Sequence, residues 1–295
     1  MQKIETVSAL ILITLIFTDA YVWLGVLKSD SPKNMLQFLD VGKGDSQLIT
    51  AGDIHILNDT GPPGGASAAL QRILPPAMRR LDLIIITHPE RDHFGDLPQL
   101  LKKYSVGAIL WNGIFSSSTS PEWTAVLEQA SSKKIPVITI GRGDTVHAAD
   151  ALFKIMSPDP LVAASGAVNE SAIVSCVRSP DWSAILSADV PMNIEAYLLE
   201  GDSLVLNANI LKVGHHGSAY SSSDSFLENI SPEYSVIQLG EGNTYGFPSK
   251  EALVRLRAHT KNAILRTDEL GTITFIRENG KLVARSEHNL ANAKN

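Results

Sequence analysis

Leu81-Asp-Leu-Ile-Ile-Ile-Thr-His-Pro-Glu-Arg-Asp-His-Phe-Gly-Asp96 joins an apolar run to a cluster of ligand-forming side chains. The run over 83–86, largely β-branched, reads as a buried strand. It stops at Thr87 and delivers His88, Glu90, Asp92 and His93 onto the turn that follows. Imidazole and carboxylate groups packed together at the end of a rigid strand are what a first-row metal site requires. The stretch therefore points to a metal-dependent hydrolase or a descendant of one.

Working outward, the chain repeats this pattern of strand, loop and helix. Apolar periodicity and turn residues predict strands over 35–39, 46–50, 54–57, 81–87, 108–111 and 136–140, with helices over 67–74, 97–103 and 122–132. The second half predicts strands over 152–156, 172–178, 184–187, 208–213 and 234–239, and helices over 194–200, 223–229 and 249–259. Residues 263–267 and 272–277 read as a closing hairpin around Asp268-Glu-Leu-Gly271. Two such halves predict a layered α/β domain over 35–280, after a linker over 28–34 and before a polar tail over 281–295.

Five loops at predicted strand ends hold usable polar groups: Asp40-Val-Gly-Lys-Gly-Asp45, Asn58-Asp-Thr-Gly61, the His88 to His93 turn, Asp189, and His215-His-Gly-Ser218. Sites assembled from many strand ends are normal for α/β enzymes. Asp40 and Asp45 read as turn-shaping residues, with Gly42 and Gly44 supplying unusual backbone angles. Asp59 reads either as an orienting carboxylate for a ligand histidine or as an Asx turn. His147 and the scattered Arg72, Arg79 and Arg80 read as structural or solvated.

Bulk composition narrows the classes. Of the 295 residues, 44% are hydrophobic and 19% charged, so a substantial core forms and disorder is excluded for the domain. A formal net charge of −6 gives no basic field that advertises nucleic-acid binding, although a bound dication lets an acidic nuclease body operate. The single cysteine, Cys176, has no internal disulfide partner and reads as a small buried hydrophobe. Residues 7–27 are nearly all apolar, long enough to span a bilayer, with Tyr21 and Trp23 suited to an interface and Asp19 as the one costly residue. They are expected to be an uncleaved single-pass anchor (1–27), with the domain extracytoplasmic.

The pieces Phe38-Leu-Asp-Val-Gly-Lys-Gly-Asp45, Asn58-Asp-Thr-Gly61, Thr87-His-Pro-Glu-Arg-Asp-His-Phe-Gly95, Asn169-Glu-Ser-Ala172, Leu186-Ser-Ala-Asp189, Leu211-Lys-Val-Gly-His-His-Gly-Ser218, Asn243-Thr-Tyr-Gly-Phe-Pro-Ser249 and Arg266-Thr-Asp-Glu-Leu-Gly271 resemble, in content and order, the metallo-β-lactamase fold superfamily. Within it they are most similar to the soluble domain of the ComEC-like competence DNA-uptake branch. The resemblance implies an αββα sandwich with a metal at one edge between the sheets. It also implies phosphodiesterase or nuclease activity on DNA, and a separate membrane channel protein as partner.

It implies site residues as well. His88, Asp92, His93, Asp189, His215 and Glu90 are the expected ligands of one or two divalent ions, zinc or manganese. Asp92, Asp59 and Lys212 are the expected catalytic groups, and His216, Ser218 and Asn243 the expected phosphate contacts. Two departures thin the set: Glu90 stands where the superfamily usually has histidine, and Phe247 where the branch has histidine. The rival expectations are a hydrolase of a small ester, lactone or thioester on the same fold, and a binding module whose metal site has decayed.

Overall fold

The computed structural model describes residues 13–19, 34–115, 120–159, 167–202, 206–244 and 246–288. The chain divides into two units, Met1–Lys33 and Asn34–Asn295. Of the first, a helix over 13–19 is described, and the rest of the expected 7–27 anchor lies outside the described residues. Among the described residues no helix is long and apolar enough to cross a membrane.

The second unit contains two sheets. The first has eight strands in the order β15-β14-β1-β2-β3-β4-β5-β6, and the second has seven in the order β13-β12-β11-β10-β9-β8-β7. In the first sheet, β1 (Asn34–Phe38), β2 (Gln47–Ala51) and β3 (Ile54–Asn58) form an antiparallel meander. β4 (Arg80–Ile86), β5 (Ser105–Trp111) and β6 (Val137–Thr139) then continue it in parallel. Helical crossovers make these parallel steps: α1 (Gly65–Ile73) leads into β4, and α4 (Pro121–Ser132) into β6. Between them come the short α2 (Arg91–Phe94) and α3 (Leu97–Lys103). The second sheet holds β7 (Thr145–Ala148), β8 (Ala151–Ser157), β9 (Val174–Arg178), β10 (Ser183–Leu186), β11 (Ile210–Lys212), β12 (Tyr234–Ile237) and β13 (Ala263–Arg266).

Alternation along each strand explains the layering. On β4, Ile85 joins the core between the sheets, while Ile84 and Ile86 pack outward with Leu70, Leu97 and Trp123 of the helices. On β10, Ala184 and Leu186 face inward and Ile185 faces outward with Leu198 of α5 (Met192–Asp202) and Phe226 of α6 (Asp224–Ile230). Strands buried on both faces read as continuous apolar runs, and the result is four layers, α-β-β-α. The same alternation puts Ile210 and Lys212 of β11 on the inner face and Leu211 on the outer. Cys176 is buried on the outer face of the second sheet, as a small hydrophobe should be.

Two expectations are corrected. Residues 263–267 and 272–277 do not form a hairpin. β13 pairs in parallel with β12, whereas β14 (Ile273–Glu278) pairs with β1 and with β15 (Lys281–Ser286) in the other sheet. The expected turn is a short helix (Thr267–Leu270) that carries the chain across the sandwich. Lys281–Ser286, read as tail, is the edge strand β15; its half-polar sequence suits a solvated edge.

Candidate metal centre

The centre lies where strand ends of both sheets meet. β3 ends at Asn58, so Asp59 follows directly, in a left-handed backbone conformation (φ 58°). Its carboxylate accepts from the Thr87 amide at Oδ1 (2.8 Å) and from the Thr87 hydroxyl at Oδ2 (2.8 Å). Oδ2 also lies 2.9 Å from His93 Nδ1, and Thr87 Oγ1 lies 2.9 Å from His88 Nδ1. The Thr87 hydroxyl spends its one proton on Asp59, so it accepts from His88 Nδ1–H. Both imidazoles therefore carry the proton on Nδ1 in their neutral form, and present a bare Nε2. That is how an outer carboxylate fixes the tautomer of a metal ligand.

The second sheet supplies the other half. β11 runs into a tight turn, Gly214–Gly217, in which His215 (φ 46°, ψ 52°) and His216 (φ 53°, ψ 23°) are both left-handed. Two consecutive non-glycine residues there are strained, and such strain clusters at functional sites. The twist sends the rings different ways. His216 Nδ1 donates to the Gln238 carbonyl (2.8 Å), leaving its Nε2 3.5 Å from Asp189 Oδ2 and 3.4 Å from Asp92 Oδ2. His93 Nε2 is 3.4 Å from the same Asp189 oxygen. The donor atoms of Asp92, His93, Asp189 and His216 all lie within 4.8 Å of one another. His215 instead sits at the rim, 3.8 Å from Asp189, with its ring edge to Phe247.

The donor set fits a divalent ion. Nε2 of His88, His93 and His216 are buried, and among the described residues none has a hydrogen-bond partner. Buried polar atoms left unpaired need an explanation, and for His93 and His216, which meet Asp92 and Asp189, an ion supplies it. In the ion-free molecule the carboxylates keep protons on the histidines in its place. Burial alone would depress His93 and His216, but Asp189 with Asp59 and Asp92 raises His93 well above the ordinary imidazole range. Asp189 and Asp45 push His216 up to about 10. Burial pushes the Asp92 and Asp189 carboxyls up, yet the histidines, with Lys212 beside Asp189, outweigh it and hold both below the usual carboxylate range. Burial depresses His215.

His216, expected at the phosphate, lies with Asp92, His93 and Asp189 in the donor cluster; His215, expected as a ligand, lies beside that cluster, and His88, also an expected ligand, is not in it. Glu90 stays with His88, Oε2 to Nε2 3.7 Å, and is half exposed. Lys212 does not face the cleft: it is buried, and its three donors are taken by the Ala188 carbonyl (2.7 Å), Asp189 Oδ1 (3.2 Å) and Asp45 Oδ2. Ser218 accepts from the Tyr220 amide and shapes its turn. Both ends of the Asn243 amide close the loop onto the Phe247 backbone.

Sequence reading missed two residues. Asp45, taken as a turn former, is enclosed against Lys212 and lies 3.4 Å from His216 Nδ1. Gln238, a polar residue after β12, donates to the Leu39 and Ser46 carbonyls and so ties the His216 support to the opposite sheet. Asp40 does shape its turn, accepting from the Gly42 amide. Gly44 is needed for close approach, since a Cβ there would stand 2.2 Å from the Asp92 carbonyl oxygen. Above the centre a cleft of about 540 Å³ opens, lined by Lys43, Pro62, Pro63, Glu90, Arg91, His215 and Phe247 with the cluster at its floor.

The family model of the metallo-beta-lactamase superfamily matches residues 39–241. The chain belongs to this superfamily. Its sequence is similar to competence proteins: 29% identical over 269 residues to ComE operon protein 3 of Bacillus subtilis (strain 168), covering 83% of this chain and 33% of that protein. It is also 29% identical over 237 residues to competence protein ComA of Neisseria gonorrhoeae, covering 80% and 31%. The chain thus spans about a third of the length of these relatives. Among solved structures, the metallo-beta-lactamase fold protein YhfI from Bacillus subtilis shares the fold, with TM-score 0.54 at 11% identity over 85% of this chain and 100% of that one. So does CmlA, a diiron beta-hydroxylase from Streptomyces venezuelae, with TM-score 0.54 at 16% identity over 84% and 55%.

Proposed function

We propose that this superfamily member is a metal-dependent phosphodiesterase with DNA as its favoured substrate, working in a DNA-uptake system. The observation that carries the reading is the convergence of the unpaired Nε2 atoms of His93 and His216 with Asp92 and Asp189, beside an open cleft that Asp92, Asp189 and His216 line. The similarity to competence proteins supports DNA as the substrate class.

His93, His216, Asp92 and Asp189 would hold the ion. A divalent cation so held polarises a phosphoryl oxygen and makes nearby water more acidic. Mixed imidazole and carboxylate ligation suits zinc or manganese. The chain's own groups do the rest. Asp59 and Gln238 lock the ring orientations. Lys43 and Arg91 at the cleft lip give a phosphate backbone positive charge to lie against. His215, kept neutral by burial, stands at the rim where it can accept a proton. The apolar run over 7–27 would tether the chain to a membrane, with the domain extracytoplasmic beside a separate channel protein.

A second reading, hydrolysis of a small ester or thioester, draws on the apolar rim of Pro62, Pro63 and Phe247. The two separate in one experiment. The purified chain, loaded with manganese or zinc, is given labelled single- and double-stranded DNA and, in parallel, lactone and thioester substrates. Metal-dependent DNA cleavage lost in His93→Ala is the expected result. Hydrolysis of a thioester or lactone with DNA left intact would overturn it.

A further inference from the structure

Two convergences of donor atoms occur among the described residues: Asp92, His93, Asp189 and His216, and then Asp45, Asp59 and His93. The second is not open. His93 Nδ1 and Asp59 are already hydrogen-bonded to each other, and Asp45 Oδ2 is in contact with the Lys212 ammonium. Lys212 reaches this place because its strand alternates: with Ile210 on the inner face, the side chain two residues on points between the sheets. There its Nζ is ringed by oxygen, from the Asp45 carboxylate, Asp189 Oδ1 and the Ala188 carbonyl, with only 1% of the side chain exposed. Carboxylate and carbonyl oxygens around a compact charge are the donor set of a hard cation. Asp189 is divided between the two places, one oxygen on the ammonium and the other facing His93 and His216.

We propose that Lys212 is a tethered cation filling what would otherwise be a second ion position, so that this centre binds a single divalent ion. The proposal rests on the metallohydrolase reading above and specifies its ion count. A buried lysine between two carboxylates is hard to replace by a free dication, because removing it demands desolvated charge compensation on both. The lysine also commits Asp189 Oδ1, so that carboxylate cannot bridge two ions through both its oxygens. Lys212 is thus a positioning residue, acting through Asp189.

The test reads stoichiometry, not turnover. The full chain is stripped with chelator, titrated with Mn²⁺ by calorimetry, desalted and analysed for bound metal. Wild type should bind one equivalent. Two equivalents would overturn the proposal while leaving the hydrolase reading standing, and none with any ion would overturn both. Lys212→Ala should gain a second equivalent, and adding Asp45→Asn to it should remove that second equivalent only. A folded Lys212→Ala that still binds one equivalent overturns the proposal. Where Lys212→Ala does not fold, Asp45→Asn alone decides. It should keep one equivalent, because Asp45 faces the ammonium; loss of the ion would make Asp45 a ligand and refute the assignment.

Discussion

Asp59→Asn replaces one oxygen of a buried carboxylate that accepts three hydrogen bonds, from the Thr87 amide, the Thr87 hydroxyl and His93 Nδ1. The new amide nitrogen has two places to go. Facing the Thr87 amide, it sets donor against donor and leaves both unpaired in a buried site, a cost of about 1–3 kcal/mol. Facing the Oδ2 position, it must donate to His93 Nδ1, which drives the ring proton onto Nε2, the atom aimed at the ion. The second arrangement is the cheaper one, because the Thr87 hydroxyl can turn to accept. The fold should therefore survive and the ligand should fail. Losing such an outer partner weakens metal affinity by about 10–100-fold, or roughly 1.4–2.8 kcal/mol. Competition against a chelator of known affinity measures the change, and ¹⁵N spectra of the imidazoles report which nitrogen is protonated. An affinity within about threefold of wild type, with the His93 proton still on Nδ1 in the ion-loaded protein, would refute the tautomer argument.

Other outcomes follow from the same geometry. His216→Ala should lose the bound ion and His215→Ala should keep it, as elemental analysis of the desalted proteins will tell; the reverse result would put His215 in the cluster instead. Ion uptake should release protons, since His93 and His216 are held protonated in the ion-free molecule, His216 up to about 10. Affinity should then climb as pH rises from about 6.5 towards 10, and calorimetry in buffers of different ionisation enthalpy counts the protons. The same raised values stabilise the ion-free fold below the ordinary imidazole range, and that stabilisation is lost as pH rises through the folded values. Melting temperatures of chelator-treated protein should fall across this window. Gly44→Ala, which pushes a Cβ to 2.2 Å from the Asp92 carbonyl oxygen, should cost about 2 kcal/mol and lower Tm by roughly 4–8 °C. An unchanged melting curve would mean the turn yields freely.

Much of the sandwich was legible because its strands are buried on both faces. Runs such as Leu83 to Ile86 leave little alternative, and the candidate donors Asp92 and His93 follow within one turn, with His88 beside them. Edge strands were harder. Thr145–Ala148, where the sequence predicts no strand, and Lys281–Ser286, read as tail, are half exposed and carry polar residues. The turn Asp268 to Gly271 has hairpin composition, and only pairing across the sandwich decides that it crosses between sheets. The choice between His215 and His216 is invisible in sequence, because two left-handed residues set the ring directions. Lys212 was legible as polar but not in its direction, since no pattern in the chain announces that Asp45 waits on the opposite sheet.

The pairing of β1 with β14, whose registered residues include Leu36 and Phe275, fixes an order of events during synthesis. β1 emerges from the ribosome early, yet its outer edge stays bare until Ile273–Glu278 has been made. The donor cluster is split in the same way. His93 is finished about 120 residues before His216, which at ordinary translation speed is roughly 6–25 s. For that interval the nascent chain displays imidazoles and carboxylates with no complete cage, so any ion captured early is held loosely and is free to exchange. The choice of metal is therefore deferred to the finished sandwich, and it answers to the ions of whichever compartment the chain has reached by then.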